Sequence, residues 1–137
     1  MQLERFREVQ AAYLAAAGDP EAFSAVFYAR LFEQRPEVRG LFPNDMRPQH
    51  AKFGDMMLHL VTALARMEGA REELRVMGAR HVGYGALPAH YDSVGEALLW
   101  TLDQLHPDFT PSLRAAWEEA YAMIVAPMLE GAAAAGD

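Results

Sequence analysis

Two histidines nine positions apart, His81 and His90, lie within the stretch "GARHVGYGALPAHYDSVGEALLW" at residues 78–100. Histidine is the side chain best suited to proton transfer near neutral pH and to holding a transition metal. Zinc asks for more than this chain offers. No two of its five histidines stand three or four residues apart, and no cysteine completes a thiolate set. A serine triad is also unsupported. Ser24, Ser93 and Ser112 are the only serines, and none stands in a nucleophile-elbow context. One chemistry needs a single imidazole, the axial bond to a haem iron.

Whichever histidine acts must be held by the elements around it, and these read as helical throughout. No sustained apolar/polar alternation and no Asn-Gly hairpin signal occurs. The expected fold class is therefore all-α, with about six main helices plus a short one and no sheet. "GDP" at 18–20 ends a first helix and opens a second, with Asp19 as N-cap and Pro20 as first helical residue. The second carries Phe23, Val26, Phe27, Tyr28, Leu31 and Phe32, then meets "RPEVRGLFPND". Pro36 and Pro43 predict a short helical turn and a loop there. The next helix is predicted from about Pro48 to about Met67, with Gln49, Phe53, Met56, Leu60 and Leu64 on one stripe.

"EGAREELRVMGARHVGYG" predicts another helix, stopped by its glycines. Tyr91, Val94, Leu98, Leu102 and Leu105 mark the one after it. The last opens with Thr110 as cap and buries Leu113, Trp117, Tyr121, Ile124 and Met128. Pro127 is expected to kink or end that helix. The whole chain, 1–137, is expected to be one domain, with residues 131–137 a frayed tail.

A formal net charge of −7 argues against nucleic acid as a partner. No window approaches the roughly 18–20 uninterrupted apolar residues of a membrane span. "MQLERFREVQ" lacks an apolar signal core. A cytoplasmic protein without a membrane partner is the expectation. Without cysteine there is no disulfide framework and no iron–sulfur cluster.

Position separates the two histidines. If Tyr91, Val94 and Leu98 face inward, His90 lies about 100° away around the same helix, towards the rim or solvent. His81 sits near the C-terminal end of the preceding helix, where the last carbonyls lack intrahelical partners. Such a carbonyl can accept the ring N–H not used by a metal, which fixes the tautomer. That setting suits an axial ligand, and it equally suits an ordinary helix-end histidine.

Four blocks, in order along the chain, resemble one family. "FYARLFEQRPEVRGLFP" looks like its second helix, short third helix and following corner. "MRPQHAKFGDMM" looks like the start of its distal helix. "GARHVGYGALPAHYDSVGEALLWTL" looks like its proximal helix and successor, and "AWEEAYAMI" like its last helix. The family is the bacterial single-domain globins of the Vitreoscilla haemoglobin type, together with the globin part of flavohaemoglobins.

The resemblance implies a globin fold around haem b, iron protoporphyrin IX, with His81 as the proximal iron ligand. Phe42 matches the phenylalanine that packs on the porphyrin face, and Tyr28 the distal tyrosine that holds bound oxygen. Gln49 falls at the distal glutamine position, 81 − 49 = 32 residues before the ligand. The same resemblance places Phe53 over the iron and Lys52 and Arg80 at the propionate edge. Met56, Tyr84, Tyr91, Val94 and Leu98 are further haem-packing positions, Tyr91 lying beneath the proximal histidine. His50 is expected at the haem edge or in solvent. One departure stands out. The glutamate that flavohaemoglobins carry on the last helix falls here near Ala132, with Glu130 displaced by two residues.

The implied function is reversible binding of dioxygen, with nitric oxide and carbon monoxide as further ligands. The alternative is a nitric oxide dioxygenase working with a separate reductase. A gas sensor is the third reading, and a homodimer is an open option.

Overall fold

The computed structural model describes residues 3–136. Among them are six α-helices, two short 3-10 stretches and no strand. The helices are α1 (Leu3–Ala16), α2 (Pro20–Gln34), α3 (Arg47–Ala63), α4 (Met67–Gly83), α5 (Pro88–Leu105) and α6 (Pro111–Gly136), with 3-10 turns at Pro36–Leu41 and Leu64–Arg66. None of them is long and apolar enough to cross a membrane.

Most boundaries have a local cause. The Asp19 carboxylate accepts from the N–H groups of Glu21 at 3.1 Å and Ala22 at 3.2 Å, and Pro20 occupies the first turn. The Thr110 hydroxyl accepts the Leu113 N–H at 3.2 Å and starts α6. Gly85, with φ +90°, carries the chain out of α4 in a conformation that other residues rarely adopt. α3 ends earlier than its apolar pattern predicts. The chain tightens into the 3-10 turn Leu64–Arg66 and passes directly into α4.

The core is centred on Trp117, Phe23, Phe27, Leu64, Leu74 and Leu102, all fully buried. α4 packs chiefly on α6, whereas α2 packs on α5 and α3. The α4–α6 contact is backbone against backbone. A Cβ at Gly78 would fall 1.9 Å from the Met128 carbonyl oxygen, and one at Gly131 would fall 1.8 Å from that of Arg75. Gly78 therefore does not stop the helix but lets α4 lie directly on α6.

At the C-terminal end, Pro127 and the alanine-rich tail lie in one continuous helix. Pro127 does not end α6, which continues to Gly136. Residues 131–136 are helical rather than a frayed tail. Gly131 seats the end of α6 against α4, and Glu130 pairs with Arg71 and Arg75. Asp137 lies outside the described residues.

Candidate functional site

The two histidines of the sequence stretch have different tasks. His90 caps α5: its Nδ1 accepts the Leu87 N–H at 3.0 Å. His81 stands in the last turn of α4, half-buried, with Nδ1 2.7 Å from the Met77 carbonyl oxygen. A carbonyl only accepts, so Nδ1 carries a proton, and in the neutral ring Nε2 then keeps its lone pair. The ring of Tyr84 meets that of His81 edge-on, with centroids 5.7 Å apart.

His81 lines a cavity of about 440 Å³ between α3 and α4. Met56 and His59 supply the α3 wall, while Val76, Met77 and Arg80 supply much of the α4 wall. Met56 is 38% exposed and Val76 44% exposed here, although both are apolar. The α3 residues buried in the core are Met57, Val61 and Ala63, with Phe53 and Leu60 partly buried against it and Leu64 buried in the 3-10 turn that follows. Sequence reasoning missed His59, Val76 and Met77. His59 lies one helical turn beyond Met56 on the same face, and Met77 one turn before His81, so each was within reach of the periodicity. The His59 ring bonds to the Glu73 carboxylate, linking α3 to α4 at this cavity.

Tyr28, Phe42, Gln49 and Phe53 come together in a cluster outside the lining of the α3–α4 cavity. Tyr28 is buried, and its hydroxyl oxygen accepts from Gln49 Nε2 at 2.9 Å. Its ring meets Phe42 at 5.3 Å and Phe53 at 5.4 Å, both edge-on. Phe53 in turn stacks on Phe27 at 4.4 Å. Burial holds the Tyr28 hydroxyl above its ordinary pKa, and the Gln49 bond works in the opposite direction. Phe42 follows the first 3-10 turn, and the Arg39 guanidinium fixes that loop by donating to the carbonyls of Phe42, Pro43 and Asn44. Nothing in the residue spacing pointed to Arg39.

The other expected residues fall into two groups. Arg80 lines the cavity and Lys52 is exposed on α3. Tyr91 and Leu98 are buried on α5 and Val94 is half-buried there; none lines the α3–α4 cavity. The Tyr91 hydroxyl is buried without a hydrogen-bond partner among the described residues. The Tyr91 carbonyl, however, accepts the Tyr121 hydroxyl at 2.5 Å. Glu130 turns to Arg71 and Arg75. His50, half-buried, stacks on Tyr28 with ring centroids 5.6 Å apart.

The chain is 30% identical to the rice (Oryza sativa subsp. indica) anaerobic nitrite reductase NSHB5, over 82% of each chain. It is 32% identical to a flavohemoprotein of Vibrio cholerae over 73% of this chain, but it spans only 26% of that protein. Among solved structures, an engineered carbene transferase from Rhodothermus marinus, provisionally named a nitric oxide dioxygenase, superposes with a TM-score of 0.81 at 26% identity, covering 99% of this chain and 96% of the other. The family model described as Globin matches residues 25–128, and the chain belongs to the globin family.

Proposed function

We propose that this globin holds haem b through His81 and reversibly binds dioxygen beside Tyr28. The single observation that supports this most is the His81 ring. Its Nδ1 is committed to the Met77 carbonyl at 2.7 Å, and the ring lines a cavity between two helices. The lining offers a porphyrin one imidazole nitrogen at His81, apolar side chains at Met56, Val76 and Met77, and a cation, Arg80, for a carboxylate. Of the two acidic lining residues, Glu72 and Glu73, the latter is bonded to His59. A ferrous haem, when bound, supplies a coordination position for a neutral diatomic ligand.

The chain's own residues set what happens there. Gln49 donates to the Tyr28 oxygen, so the phenolic proton stays available for a second partner. Donation into that oxygen also polarises the O–H bond and strengthens its donation onward. Because burial raises the pKa, the hydroxyl remains protonated through neutral and mildly alkaline solution. The rings of Phe42 and Phe53 close around Tyr28 and keep water from competing for that proton.

Adding haemin and recording ferric, ferrous and carbon monoxide absorption spectra tests the proposal. A five-coordinate histidine-ligated ferrous spectrum with a carbon monoxide adduct is expected. Spectra indistinguishable from free haemin would overturn it. The similarity to a flavohemoprotein and to a protein named for nitric oxide dioxygenation favours a second reading. One dioxygen and one nitric oxide would give nitrate, with an electron returned each turnover by a separate reductase. Without a reductant, nitric oxide consumption should then stop after one equivalent.

A further inference from the structure

Between the first 3-10 turn and α3, residues 42–46 run without helix or strand. Phe42, the first of them, is half-buried, while Pro43 and Asn44 are exposed. One side chain holds this stretch. The Arg39 guanidinium donates to the carbonyls of Phe42 at 3.3 Å, Pro43 at 3.0 Å and Asn44 at 3.1 Å. The Arg39 carbonyl accepts the Phe42 N–H at 3.2 Å, so both backbone polar groups of Phe42 end on one residue. Arg30, Arg35 and Arg47 each pair with a carboxylate, at Glu96, Glu37 and Asp45. Arg39 has no carboxylate partner among the described residues. Its charge is turned instead on three carbonyl dipoles that only a fork of several N–H groups reaches together.

We propose that Arg39 is a positioning residue for oxygen retention, which fixes the two rings that orient Tyr28. The inference rests on the reading that Tyr28 donates to bound dioxygen. Besides clamping the Phe42 backbone, the guanidinium carbon lies 5.3 Å from the centre of the Phe32 ring. Phe32 and Phe42 stand 5.5 Å apart, and they meet the Tyr28 ring at 5.8 and 5.3 Å. The other rings around Tyr28 belong to helices: Phe27 to α2, His50 and Phe53 to α3. Phe42 alone among them stands on irregular chain, and Arg39 supplies the backbone bonds that a helix would. A hydroxyl keeps its hydrogen bond only within a narrow range of distance and angle. A Tyr28 ring free to tilt therefore loses its grip on a partly charged acceptor and leaves a neutral one little affected.

Two variants separate the clamp from the charge. Arg39→Met keeps an unbranched stem and removes the donors, whereas Arg39→Lys keeps the charge and loses the fork. In haem-loaded protein both should speed oxygen release severalfold and leave carbon monoxide release unaltered. In a Tyr28→Phe background neither should add anything, because the bond they loosen is already gone. In the full chain, with and without haemin, the Phe42 amide should exchange severalfold faster in Arg39→Met while the α2 amides keep their protection. Unchanged oxygen release, or an equal acceleration without the Tyr28 hydroxyl, would overturn the role. Complete rescue by Arg39→Lys would also overturn it, since Arg39 would then act as a charge. Unchanged exchange at Phe42, or loss of protection throughout α2, would refute the clamp. Failure of the unmodified protein to bind carbon monoxide would instead strike down the haem reading and the oxygen role with it, whereas the exchange at Phe42 would still decide the clamp.

Discussion

The Tyr28 cluster and the α3–α4 cavity at His81 are built by different means. On the α2–α3 side, Tyr28 is surrounded by the rings of Phe27, Phe32, Phe42, His50 and Phe53, at centroid distances of 5.0–5.8 Å. Its one polar atom is already paired with Gln49. On the α4 side, the helix rests on α6 through glycine contacts and turns apolar side chains into an open cavity. Val76 and Tyr84 remain 44% and 66% exposed. The Tyr28 cluster is packed before any ligand arrives, whereas α4 is held chiefly from α6, with the His59–Glu73 bond on its cavity side. Most of what a cofactor stabilises should therefore be α4 and the loop after it.

The largest expected effect removes the only bond α4 would make to the iron. A cofactor that binds the folded state adds RT ln(1 + [L]/Kd), about 4 kcal/mol at a thousandfold excess over Kd. His81→Ala should lose the five-coordinate ferrous spectrum and most of the haem-dependent rise in Tm, while His90→Ala keeps both. A normal carbon monoxide adduct in the His81 variant would refute the assignment.

Breaking the support behind α4 comes next. The Cβ in Gly78→Ala meets main-chain atoms of Met128, which cannot rotate away. Overpacking typically costs about 1–3 kcal/mol, and a rigid backbone neighbour puts this variant at or above the top of that range. Denaturant unfolding should show the loss. Haem affinity should fall as well, because α4 must shift and His81 rides on it. Gly69→Ala has open space for its Cβ and serves as the control.

In the Tyr28 cluster, the smaller test is Tyr28→Phe. A hydrogen bond to a partly charged acceptor contributes roughly 1.5–3 kcal/mol. At about 1.4 kcal/mol per tenfold, oxygen release should quicken roughly 10–100-fold while carbon monoxide release changes far less. Stopped-flow release rates decide it. Equal rates in variant and parent would reduce Tyr28 to a packing residue.

This contrast also explains what the sequence made legible. Asp19 and Thr110 were readable because each rests on local capping chemistry, whereas the grouping of Tyr28 with Gln49 came from the family resemblance. The Met77 carbonyl was readable as a class of partner, since a helix end leaves such groups free. Gly78 and Gly131 were not, because a glycine that ends a helix and a glycine that admits another helix look alike in one dimension. The alanine tail was misread for the same reason: its helix is held by contacts from α4 that only the fold supplies.

The smallest effect separates two accounts of the proximal side. The family resemblance places Tyr91 beneath His81, where a phenol would accept the ring N–H. The structure gives that N–H to the Met77 carbonyl and leaves the buried Tyr91 hydroxyl without a partner among the described residues. A buried unsatisfied hydroxyl costs about 1–3 kcal/mol, so Tyr91→Phe should raise stability by about 1 kcal/mol. The Tyr121 hydroxyl is untouched by that change, since it bonds the backbone carbonyl of residue 91 rather than its side chain. The iron–histidine stretching frequency of the ferrous protein should stay where it was, because the carbonyl still polarises the ring. With only a neutral carbonyl behind the histidine, peroxidase activity should be weak in parent and variant alike. A lower stretching frequency together with lower stability in Tyr91→Phe would mean that haem binding turns the His81 ring from Met77 to the phenol. The α4 side would then rearrange around its ligand as well as close on it.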